Sequence, residues 1–237
     1  MPETEALREF RRSLQAAEQL RRIDVKGYTD PPPSKHQRAV QGLRGGAAVM
    51  MVAAFEEYLR ASHEEAMTRL TRGRRQLDFG RLPDALRVHS VFTTLETAMK
   101  GPRHKKTDRL DRLLDIEQAA RVVVSRTVNP AAFGQSGGNP SQDAVKEAFK
   151  ATGVNDVFGQ VKSDFDARWS AATHQTFIQE KLDEIVNRRH RVAHTADALN
   201  ISRKDLAEAI RFLRVLGLVL DSLLMRQVEF CRRNALV

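Results

Sequence analysis

The 237-residue chain is 41% hydrophobic, only 6% aromatic, and carries a formal charge of +9. That length and content leave room for a substantial core, and the scarcity of alternating β-branched runs argues against sheets, so we expect an all-α fold, one domain with an insertion. The charge asks for an anionic partner, nucleic acid before a membrane surface, and the single Cys231 rules out an internal disulfide and fits a reducing compartment.

In chain order, Leu7, Phe10, Leu14 and Ala17 recur at helical spacing and predict a first helix over residues 3–22. The opening, with Glu3, Glu5, Arg8 and Glu9, is unlike a secretory leader, which points to a cytoplasmic protein. Three prolines in residues 28–35 (YTDPPPSK) forbid helix there and make a stiff connector, so residues 1–35 are set apart from a helical domain over 36–237.

Residues 36–70 are helical again, with Gly45 and Gly46 either a weak point or a place of close approach. The apolar run Ala47 to Phe55 is far shorter than the roughly 20 residues of a membrane span, so no membrane partner is expected. Glu56 and Glu57 follow beside core positions.

Arg72, Arg74, Arg75 and Arg81 make a basic loop, and Arg74 and Arg75 are candidate RNA contacts of the kind that touch a phosphate backbone without reading sequence. A solvated loop is the alternative. Helices are expected over 84–99, from 110 to about 125, over 143–152, and as one or two pieces over 157–169; the Asn, Pro, Gly and Ser of residues 127–141 form a long loop between them. That loop lacks a Walker lysine and a GxGxxG pattern. Residues of about 84–172 read as the insertion.

The chain is organised around residues 181–197 (KLDEIVNRRHRVAHTAD), in a helix that begins at Thr173 or His174. At about 100° per residue, Leu182, Ile185, Val186, Val192, Ala193 and Ala196 gather on one side with Arg189 in their midst. Asn187, His190 and His194 share the opposite side, flanked by Arg188 and Arg191. A guanidinium on an apolar stripe is costly unless a carboxylate or a partner surface receives it, either in an internal salt bridge or at a seam where arginine and histidine meet an anionic substrate. Arginine stays charged and grips phosphate with a fork of donors, whereas histidine exchanges protons near neutrality, a combination suited to cleaving a phosphodiester. Ser202 then offers an N-cap with Asp205 in capping-box position, and Leu206, Ile210, Leu213, Leu216, Leu220 and Val228 line a final helix over 203–232, suited to a core or to a dimer surface.

Arg189-His190-Arg191-Val192-Ala193-His194 resembles the arginine, polar residue, then histidine signature of the HEPN superfamily of helical ribonucleases. Residues 47–59 resemble that superfamily's apolar-then-acidic helix. Residues 129–158, with Phe133-Gly134, Gly138-Asn139-Pro140 and Gly153-Val154-Asn155-Asp156, are similar to the middle of the RiboL-PSP-HEPN or MAE-type group. The likeness runs from about Gln37 to the C-terminus.

This resemblance implies a HEPN-like bundle with its insertion between the second and penultimate core helices, and a metal-independent RNA endonuclease without cofactor. It implies a homodimer in which Arg189 and His194 of both copies form one cleft, with His190 orienting the site. Asn187, Arg188 and Glu56 support it, Glu56 as the partner of Arg189; Arg191 contacts RNA. Arg188 also keeps a permitted spacing to His194, so either arginine fits the catalytic place. A toxin or phage-defence effector, with an antitoxin or regulatory protein as partner, belongs to the same reading. A silent RNA-binding or scaffold module and an adaptor for an acidic protein remain as alternatives. His190 and His194 are four apart, as in a zinc site, but Arg191 stands where HExxH has glutamate and no cysteine cluster adds ligands.

Overall fold

Short polar side chains start the helices by taking up amides that have no intrahelical acceptor. Thr4 caps α1 (Glu5–Gly27) by accepting from the Leu7 amide at 3.0 Å. Ser141 does the same for α5 (Gln142–Ala151) and Asp156 for α6 (Val157–Trp169). Ser202 and Asp205 complete the expected capping box at the start of α8 (Arg203–Ala235). Between them run α2 (Gln37–Thr71), α3 (Asp84–Lys100), α4 (Arg109–Val124) and α7 (Phe177–Thr195). This computed structural model describes residues 3–72, 77–100, 109–135, 138–195 and 201–236, with the side chains of 100, 109–112 and 193–195 outside the description. Among the described residues there are eight α-helices and no strand, the all-α class expected.

α1 lies antiparallel on α2, since Leu20 meets Gly46, Phe10 stacks on Tyr58, and the Glu5 and Ala6 amides reach Glu65. The helix runs unbroken through Gly45 and Gly46, and Gly46 meets Leu20 at an ordinary van der Waals distance. α8 packs on both α1 and α2. Gly217 makes that approach possible, because a Cβ there would stand 2.7 Å from the Phe10 ring, and its carbonyl accepts from the Tyr58 hydroxyl at 3.0 Å. The whole apolar seam of α8, from Leu206 to Val228, is buried within this one chain. It is core, with none left over for a dimer surface.

A second tie is ionic. Asp24 and Arg44 are both buried and pair at 2.8 Å; Arg44 also reaches Asp30 and the Ile201 carbonyl, and Arg203 reaches Asp24 at 2.9 Å. Burial pushes the Asp24 carboxyl up, but Arg203 and Arg44 outweigh it and hold it below the usual range. The cluster fastens the proline connector and the start of α8 to the α1–α2 pair. Residues 157–169 form one helix, and α7 begins at Phe177, after a turn at 175–176. No helix among the described residues is long and apolar enough to cross a membrane.

Candidate functional site on the penultimate helix

α7 turns Leu182, Ile185 and Val186 into the core, where all three are buried, and Val192 packs partly against it. Arg189 lies in line with them and is half-buried. Its Nε is buried without a hydrogen-bond partner, and no ion pair joins it to a described carboxylate. Asn187, His190 and Arg191 are exposed on the other side, as the helical spacing predicts.

Arg188 has a different environment. It pairs with Glu184 one turn back and stands 3.5 Å from Asp205 at the start of α8. Asp205 also accepts from the amide and hydroxyl of Ser202. Burial raises the Asp205 carboxyl, yet the Ser202 hydrogen bonds and the Arg188 charge prevail and hold it below the ordinary carboxylate range. Lys181 continues the ladder to Glu184 and Glu208 at 3.0 and 2.8 Å. The adjacent arginines are thereby distinguished: Arg188 braces α7 against α8, and Arg189 has no carboxylate partner among the described residues.

Glu56 does not receive Arg189: no ion pair joins them among the described residues. Ala48 and Met51 of α2 are the residues that share a small recess with Ile185 and Arg188. Glu56, further along α2, instead lines a cavity of about 530 Å³ between α2, α3, α5 and the turn Pro130–Gly134. The cavity includes His89, Phe133 and Glu147, a grouping no local pattern announces because Glu56 and Glu147 are 91 residues apart in the chain. His89 donates from Nε2 to the Ala132 carbonyl at 3.1 Å, and burial, outweighing that bond, lowers its pKa. The His194 side chain, Arg74 and Arg75 lie outside the described residues. Among the described residues no group of three or more His, Cys, Asp or Glu is arranged to hold a metal.

A family model described as RiboL-PSP-HEPN matches residues 11–226. The chain belongs to the RiboL-PSP-HEPN family. The match takes in most of α1 as well as the helices that carried the resemblance, and a HEPN domain is compatible with ribonuclease or nucleotide-related chemistry. No curated protein and no solved structure matches the chain.

Proposed function

We propose that this RiboL-PSP-HEPN protein is a metal-independent RNA endonuclease, acting as a toxin or phage-defence effector, with a composite site made by Arg189 and His194 of two copies. The observation that carries the reading is the half-buried Arg189, whose buried Nε has no hydrogen-bond partner and which has no ion pair with a carboxylate among the described residues, so that it can receive an anion brought from outside. Arg188, the other arginine with suitable spacing, already serves Glu184 and Asp205.

In the proposed reaction His194 takes the proton from a ribose 2′-OH as that oxygen attacks the adjacent phosphorus. The bond from phosphorus to the 5′-oxygen breaks, the departing oxygen takes up a proton, and Arg189 stabilises the charge that builds on the phosphoryl oxygens. His190 orients the site with Asn187 in support, Arg191 contacts the strand, and Arg74 and Arg75 add backbone contacts. The product strand ends in a 2′,3′-cyclic phosphate or, after hydrolysis, a 3′-phosphate.

The test is incubation of purified protein with single-stranded RNA in EDTA, followed by analysis of the new ends. Cyclic or 3′-phosphate ends support the proposal. RNA that binds and stays intact contradicts it and favours the silent RNA-binding module.

A further inference from the structure

The cavity of about 530 Å³ that Glu56 lines is graded from an apolar base to a polar mouth. Leu59, Phe133 and Pro140 are buried, Glu56 and His89 are half-buried, and Asn139, Asp143 and Glu147 are exposed at the rim. α5 turns Ala144, Ala148 and Ala151 toward the space at steps of four and three residues, and these short side chains leave it unfilled. A volume of this size, with an apolar base and a few polar groups, is what a small-molecule site requires.

The polar groups of the lining accept hydrogen bonds and have few to give. Glu56 on α2 and Glu147 on α5 have neither an ion pair nor a hydrogen bond among the described residues. His89 spends its Nε2 proton on the Ala132 carbonyl, which leaves Nδ1 as an acceptor, and burial disfavours a second proton on the ring. Arg60 also lines the cavity, but its donors go to Glu57 and Glu64. The start of α5 is poorly placed to hold an anion, because Asp183 takes the Gln142 amide and Ser141 takes the Ala144 amide.

Charge selects the same kind of occupant. Glu56, Asp143 and Glu147 stand against Arg60 in the lining of a chain whose total is +9. Asp143 is met by Lys146 and Arg60 by its two glutamates, so the carboxylates of Glu56 and Glu147 are what an incoming molecule senses. They repel a phosphate. A cation with N–H donors meets acceptors from both helices, and an alkyl stem behind it meets Leu59 and Phe133.

We propose that this cavity binds an organic cation, an alkyl chain headed by a guanidinium or ammonium group, with Glu56 and Glu147 receiving the charge and Leu59 and Phe133 packing the stem. The cavity takes in no residue of α7, so the proposal holds whether or not Arg189 and His194 cleave RNA. The same chemistry arrives either as a free amine or as an arginine side chain of another protein. Isothermal titration calorimetry of the full chain tests it with three probes: agmatine, which carries guanidinium and ammonium at its two ends; an acetylated and amidated Gly-Arg-Gly peptide; and butylurea, which keeps the planar head and lacks the charge. Saturable one-to-one binding of agmatine or of the peptide is expected, with butylurea weaker by about tenfold or more, and the tighter of the two cations identifies the source. Glu56→Gln and the cavity-filling Ala148→Leu should each weaken binding by about tenfold or more, and Glu147→Gln by less because its carboxylate is exposed, all with unchanged helical circular dichroism. Glu9→Gln, which removes an exposed carboxylate on α1, should bind as wild type does. No saturable binding of either cation up to about 10 mM, butylurea binding as tightly, or an affinity unchanged in both Glu56→Gln and Ala148→Leu overturns the proposal.

Discussion

Arg188 and Arg189 are consecutive on α7 yet differ in what they meet: Arg188 reaches Glu184 and Asp205, while the buried Nε of Arg189 has no hydrogen-bond partner. A single residue step of about 100° separates a brace from a cation that has no carboxylate partner among the described residues. Arg188→Ala should therefore lower stability by about 1 kcal/mol, the scale of partly exposed ion pairs. Arg189→Ala should leave the thermal midpoint nearer to that of wild type while weakening RNA binding. Paired melting curves and RNA titrations check this; a larger stability loss in Arg189→Ala than in Arg188→Ala would reverse the assignment.

The Asp24 carboxylate serves two arginines from a fully buried position. Asp24→Ala strands Arg44 without its nearest counter-charge and should cost about 3–5 kcal/mol, measured by urea unfolding. Asp30→Ala removes only the more exposed member of the cluster and should cost much less.

His63 gives the protein an acid limit. Burial first, with the charge of His89 adding to it and the bond to the Leu59 carbonyl opposing, lowers the ring to about 4 from an ordinary 6.5. Between those two values the unfolded chain binds a proton that the folded chain refuses, so this contribution is whole above pH 6.5 and is lost as pH falls toward 4, by about 3 kcal/mol. His63→Leu should flatten that part of the stability profile. An unchanged slope between pH 6.5 and 4 would show that other groups set it.

Gly217 admits no side chain without moving Phe10. Gly217→Val should cost about 2–3 kcal/mol through overpacking and β-branching in a helix, seen as a lowered denaturant midpoint.

Local chemistry made much of this fold legible. The Ser202–Asp205 box, the prolines after α1 and the period of Leu7, Phe10 and Leu14 each act within a few residues, and each has its expected structural counterpart. Arg189 on the apolar stripe was equally readable, since helical geometry alone puts it there. Long-range pairing was not. Nothing near Glu56 in the sequence says that it faces His89 and Glu147 and leaves Arg189 without it, nor that Asp24 waits for Arg203, 179 residues away. The fate of the α8 stripe was open for the same reason: its period specifies an apolar face, and only the packing of α1 and α2 decides that the face is internal.

The most direct test of the Arg–His site is RNA cleavage by wild type, Arg189→Ala, Arg188→Ala and His194→Ala in EDTA, with helix content followed in parallel. Cleavage by wild type and at least partly by Arg188→Ala, with at least a hundredfold loss (about 2.7 kcal/mol) in Arg189→Ala and His194→Ala at unchanged helicity, is the predicted result. Cleavage that persists in both of those variants, or that EDTA abolishes in wild type, would contradict it.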